Sequence, residues 1–295
     1  MKPEEISLSQ EPSNDEYLLG DRIDNLYPEK ERGYARILDE LARKIYCTLK
    51  PEQQALFNMD GFYPHYYAQH LKILFVGRDV EACWMSKKNY MATLLAELKE
   101  GRVGYYSVNQ YPFHKRQFYI AYGLLARAAG FGAFPKWNDV PWASDLARLL
   151  FARESINKDL IEGVEIKPVS CLQGISWAFM NLSKISNDTG DWTTDNKRYG
   201  SFVQPRHDLV REEIEILQPD VIIGANVYDL VPILGYEDAE SDRDTDANCY
   251  YYPPKNGFPP FFNCYHFSAI KNDQTCFYDA VMTVADKYWS EIIHK

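Results

Sequence analysis

From Gly33 to Leu49 the apolar positions Ile37, Leu38, Leu41, Ile45 and Leu49 recur three or four apart, with charged residues between them. That spacing predicts a helix with one buried stripe. Pro51 suits the first turn of a short following helix, PEQQALF. The pattern then changes. Lys72-Ile-Leu-Phe-Val-Gly77 is a short unbroken apolar run closed by glycine, which predicts a parallel strand buried on both faces. Three more such runs follow, at 175–181, 220–224 and 260–266. Helical patterns separate them at 89–99, 115–129, 142–153, 206–217 and 227–234, and a closing helix is expected over 273–293.

Strands alternating with helices predict βαβ units. The expected fold is α/β, a three-layer α/β/α arrangement with a short, mostly parallel central sheet of about four strands. Residues 1–20 are polar and arm-like. No repeat, linker or sharp change of composition interrupts 70–295, so the expected division is an N-terminal arm and helical extension over 1–69 and one α/β domain over 70–295. The acidic stretch Glu237–Asp246 reads as a solvated loop.

Composition adds limits. With 46% hydrophobic and 25% charged residues in a chain of 295, a substantial core is expected. The 22 tyrosines and 15 phenylalanines suit packing first and stacking on flat ligands second. A net charge of −10 argues against a general nucleic-acid binder, whose affinity comes from neutralising phosphates. No basic run exceeds Lys87-Lys88, His114-Lys115-Arg116 or Lys197-Arg198, so any DNA contact must use a local patch and bind weakly. The six cysteines form no CxxC pair, and no signal peptide is visible, which predicts reduced thiols and a cytoplasmic location. No stretch approaches the roughly 18 apolar residues of a membrane span, so no membrane partner is expected.

In open parallel sheets, ligands bind outside the carboxyl ends of the strands. Past the first run lies Gly77-Arg78-Asp79. Glycine permits close approach of a ligand, and an aspartate there can orient water or support a developing positive charge. It can equally cap the next helix. The second run ends at Asn181, whose amide can read the edge of a planar ring or satisfy a turn. The third ends in Gly224-Ala225-Asn226, which reads as a turn. The fourth ends at His266, able to donate to an oxygen gaining negative charge. No GxGxxG, GxxxxGK[ST], HExxH or GxSxG motif is present, and no cofactor or metal is expected.

With these residues in this order, the chain resembles the uracil-DNA glycosylase superfamily. GRDVE at 77–81 is similar to its first motif, NLSKI at 181–185 to its middle asparagine segment, and HFSAI at 266–270 to its late histidine motif. The helix-then-strand segment LQPDVIIGAN between the last two also agrees, and the resemblance covers roughly residues 70–290. It implies a divergent DNA base-excision glycosylase that flips a uracil or other damaged base and hydrolyses its N-glycosidic bond. Asp79 and His266 would be catalytic, Asp79 positioning water and His266 bonding the departing base. Gly77, Asn181, Trp84 and Ser268 would bind the base, with Trp84, or secondarily Phe179, stacking on it. Arg78, Val80, Glu81 and Phe267 replace the family's usual motif residues, which marks divergence. Two alternatives stay open: an inactive protein of the same fold that binds a ligand or partner, and a different small-molecule enzyme on an α/β sheet. Oligomeric state is not legible.

Overall fold

Each of the four apolar runs becomes a buried strand, and together they form the parallel centre of one sheet. The computed structural model describes residues 19–80, 90–148, 174–187, 195–237, 242–244 and 249–293. Its helices in chain order are α1 (Ile23–Leu26), α2 (Glu29–Cys47), α3 (Pro51–Gln54), α4 (Tyr90–Lys99), α5 (Pro112–Ala128), α6 (Ala143–Arg148), α7 (Asn196–Val203), α8 (His207–Leu217), α9 (Leu230–Leu234), α10 (Asp279–Lys287) and α11 (Trp289–Ile293). The strands are β1 (Gly61–Phe62), β2 (Ile73–Gly77), β3 (Arg102–Val103), β4 (Tyr106–Ser107), β5 (Ala178–Asn181), β6 (Val221–Ala225), β7 (Asp242–Asp244), β8 (Cys249–Tyr252) and β9 (Phe261–Cys264). β3 and β4 make a separate hairpin.

The main sheet has the order β1-β5-β2-β6-β9-β8-β7. β5, β2, β6 and β9 run parallel, while β1, β8 and β7 add antiparallel edges. The expectation of about four strands is therefore corrected to seven. β1 is two residues long, too short to show a period. β8 reads Cys-Tyr-Tyr-Tyr without alternation. β7 lies within the acidic stretch expected as a solvated loop, and its charged residues suit an outer strand, where they discourage pairing with another chain. The closing helix is also revised: a π-helical turn over Gln274–Tyr278 precedes α10 and α11.

Alternate side chains along the parallel strands enter two cores. Ile73, Phe75, Trp177, Phe179, Val221 and Ile223 pack beneath α4, α5, α6 and α10. Leu74, Val76, Ala178, Met180 and Ile222 pack beneath α2, α7, α8 and α9. Apolar residues on both faces explain why the strands read as continuous runs. The helical pattern of the N-terminal region folds into this body: Leu38, Leu41, Ala42 and Ile45 of α2 lie on the second face, and β1 joins the sheet. Most of the tyrosine surplus goes to packing, as at Tyr63, Tyr66, Tyr122, Tyr236, Tyr251 and Tyr278, all nearly inaccessible. The described cysteines are free thiols, and among the described residues no helix is long and apolar enough to cross a membrane.

One polar group interrupts the second core. The Lys184 ammonium, just past β5, lies 2.9 Å from Asp60 Oδ2, before β1, and 2.7 Å from Glu213 Oε2, on α8. All three side chains are at most 2% exposed. Burial disfavours charge on each of them, yet the two carboxylates more than offset this for Lys184, whose pKa is raised. Asp60 also accepts the Asn181 backbone N–H at 2.5 Å and its side-chain amide at 3.3 Å. Burial raises the pKa of Asp60 as well, against the Lys184 charge and the hydrogen bonds from Asn181 and Lys184. Glu213 has fewer partners. Burial first, and then the Asp60 charge, push its carboxyl up to about 7 against the pull of Lys184.

Because Glu213 holds its proton more tightly folded than unfolded, its contribution to stability is complete at acid pH and lost as pH rises through about 7. Unfolding free energy should fall between about pH 5 and pH 8, by up to about 3 kcal/mol from this group. Urea unfolding across that range should show the slope in the native protein and a flatter profile in Glu213→Gln. Lys184→Met should cost about 3–5 kcal/mol at neutral pH, because it leaves a buried carboxylate unpaired.

Candidate functional site at the carboxyl edge of the sheet

The chain leaves β2 over the α4–α6 face to reach β5, and leaves β6 over the α9 face toward β9 on the opposite side. Connections diverging from two neighbouring strands open a crevice at their carboxyl ends. Here the crevice lies past β2 and β6, flanked by the ends of β5 and β9. It brings Gly77, Arg78 and Asp79 to one edge with Asn181, Asn226 and His266.

Gly77 and Asn181 are paired in register, and a Cβ on residue 77 would overlap Asn181 Oδ1. Glycine is therefore required for the asparagine side chain to lie across the end of β2. The two strands keep pairing beyond their ends. Leu182 N–H donates to Gly77 O (3.0 Å), Ser183 N–H to Arg78 O (2.8 Å) and Asn187 N–H to Val80 O (2.6 Å). This ladder holds the half-buried Asp79 beside the segment that follows Asn181. Asn181 itself is 3% exposed, its amide NH2 turned toward Asp60.

His266 is half-buried on the loop after β9. The Ser268 backbone N–H donates to its Nδ1 at 3.3 Å, which fixes the tautomer carrying the proton on Nε2. Burial, and then the positive charges of Arg78 and Arg116, hold the imidazole below its usual pKa. His266 is therefore a neutral donor at pH 7. Ser268 is exposed, and its hydrogen bond to the histidine comes from the backbone. The loop is fixed from below by Arg116 of α5, 3% exposed. Its guanidinium donates to the carbonyls of Phe267, Ala269 (2.8 Å) and Lys271 (3.0 Å), pairs with Asp273 (2.8 Å) and lies 3.7 Å over the Phe277 ring.

An aromatic bridge joins the two sides. The Phe113 ring, near the start of α5, lies 5.7 Å from His266, 5.5 Å from Phe267 and 5.7 Å from Phe179. Phe179 in turn touches the space above Gly77 beside Asn181. Phe113 is half-buried, whereas Phe179 is 2% exposed. Trp84 and Glu81 lie outside the described residues. Arg78 lies 4.6 Å over the Tyr199 ring and donates to Asn196 Oδ1 (3.0 Å), while its buried Nε has no hydrogen-bond partner. Asn226, exposed at the crevice, has φ +62°, a left-handed conformation asparagine tolerates.

Sequence patterns single out neither Phe113, Asn226, Arg116 nor Asp60 for the site. An aromatic next to a helix-opening Pro112 and an asparagine closing an apolar run were the available signals for Phe113 and Asn226. For Asp60 and Arg116 the relevant neighbours are remote in sequence, and no local pattern marks them. No known family model matches the chain, and no curated protein matches it either.

In an NMR titration, His266 should have a midpoint below 6.5, the ordinary value for histidine. Arg78→Met should raise that midpoint without restoring it, because burial is the larger cause. An unshifted native midpoint would contradict the burial and charge environment described here. The linked stability change runs opposite to that of Glu213: His266 opposes folding more strongly as pH falls below about 6.5.

Proposed function

We propose that the chain is a divergent DNA glycosylase-like hydrolase that cleaves the N-glycosidic bond of a flipped uracil or other damaged base. The observation carrying this reading is the continuous wall from the Asn181 amide, across Gly77, Phe179 and Phe113, to the neutral His266 imidazole. An amide, a flat ring and an N–H donor along one crevice suit the edge, face and leaving oxygen of a base.

In this mechanism the bond between the sugar C1′ and the base nitrogen breaks with both electrons going to the base. His266 Nε2–H bonds the base oxygen that gains negative charge. Asp79 supports the positive charge developing on the sugar and orients water, which adds to C1′ and loses a proton. The products are free base and an abasic sugar. Phe113, half-buried between His266 and Phe179, would stack on the base, alongside Trp84, for which the resemblance implies that role.

Local charge also favours the reading despite the net −10. Arg78, Lys197 and Arg198 stand on one side and Lys271 on the other. Ile270, fully exposed beside Lys271 on the loop tied down by Arg116, has the character of an apolar wedge entering a base step. The same net charge favours a second reading, a protein of this fold that binds a ligand or partner without catalysis.

A panel of oligonucleotides carrying uracil or other damaged bases separates the two. Base release should leave an alkali-labile site, and Asp79→Asn should slow release by about 10²–10⁴-fold. Release that persists at the native rate in Asp79→Asn would overturn the role of Asp79. No release from any substrate would leave the binding reading in its place.

A further inference from the structure

We infer that Asp60 is a positioning residue: it fixes which way round the Asn181 amide is presented, and so which base edge the site accepts. The inference rests on the reading of Asn181 as the residue that meets the base, and it adds to that reading the group deciding its polarity.

An amide has a donor end and an acceptor end, and rotation by half a turn exchanges them. Asp60 removes that freedom. Its side chain is fully buried, and its Oδ2 is already taken by the Lys184 ammonium, which leaves Oδ1 to face the Asn181 amide. One oxygen takes the Asn181 backbone N–H, and the other faces the side-chain amide at 3.3 Å. The amide must therefore turn its NH2 toward Asp60. Its Oδ1 is then directed to Gly77, where the absence of a Cβ leaves room for it.

The outward face of Asn181 thus offers an acceptor, Oδ1, beside the remaining Nδ2–H donor, in one fixed order. Its complement is a ring edge with an N–H beside a carbonyl, as in the imide of uracil. Cytosine presents the opposite pair and would set acceptor against acceptor, a mismatch that leaves polar groups unpaired. Lys184 contributes by occupying Asp60 Oδ2. An asparagine at position 60 could offer either end of its own amide to Asn181, and the selection would be lost.

Asp60→Asn tests this and leaves Lys184 with Glu213 as a balanced buried pair. Single-turnover release of uracil and of cytosine from otherwise identical single-stranded oligonucleotides is the readout. The variant should raise the cytosine-to-uracil ratio by at least about tenfold, where a merely structural defect would slow both alike. Glu213→Gln, which keeps Asp60 and its bonds to Asn181, should leave the ratio unchanged. An unaltered ratio in a folded Asp60→Asn protein would overturn the proposal. If that variant does not fold, Asp60→Ser, smaller and able to accept or donate, is read in the same way.

If the native protein releases no base at all, the glycosylase reading fails separately. The proposal is then decided by binding of free uracil and free cytosine, followed by NMR at the Asn181 side-chain amide. A native preference for uracil that weakens in Asp60→Asn supports it, and equal binding of the two overturns it.

Discussion

A single ammonium, that of Lys184, ties together three parts of the chain that are far apart in sequence: the turn before β1, the segment leaving β5, and the middle of α8. Each partner is nearly inaccessible to water, so loss of Lys184 would strand two buried carboxyl groups. This constraint sets where the edge strand β1 lies, how α8 is rotated against the sheet, and where Asn181 points. It also places an unequal count of charges, one positive and two negative, inside a core. Burial, and after it the Asp60 charge, push Glu213 toward neutrality and couple the stability of the fold to pH.

On the other side of the crevice a second cation does comparable work. Arg116 gathers three alternate carbonyls, of Phe267, Ala269 and Lys271, from the loop after β9, and that loop carries His266. Both sides of the site are therefore held by buried positive groups acting on backbone or carboxylate oxygens. Asn181 and His266 are positioned by groups that do not themselves reach the crevice. Burial first, and then the charges of Arg78 and Arg116, hold the imidazole below its usual pKa, so Arg116 adds to protonation state as well as to geometry.

Much of the architecture was legible because buried parallel strands and amphipathic helices leave periodic traces. The four apolar runs became the four parallel strands, and α2, α5 and α8 fell close to their predicted spans. The antiparallel edges were not legible. Two-residue β1 has no period, and β7, Asp-Arg-Asp, has no apolar position to mark it as a strand. Part of the buried network did leave a trace. Glu213 occupies the apolar stripe of α8 with Val210, Ile214 and Leu217, so a charge in a core position could be read from spacing alone. Its partner could not, because Lys184 lies 29 residues earlier on a different element.

The sequence by itself determined the layer architecture and which residues stand at the strand ends, because both follow from local hydrophobic periodicity and from glycine and asparagine closing apolar runs. Only the tertiary structure decided the order of the strands, and with it the crevice between β2 and β6. It alone brought Phe113 between His266 and Phe179, turned Asn181 toward Asp60, and gave His266 the burial and neighbouring charges that lower its pKa. The reason is physical. Periodicity records which face of an element is buried, whereas the polarity of an amide or the ionisation of a carboxylate depends on neighbours brought close only by the folded chain.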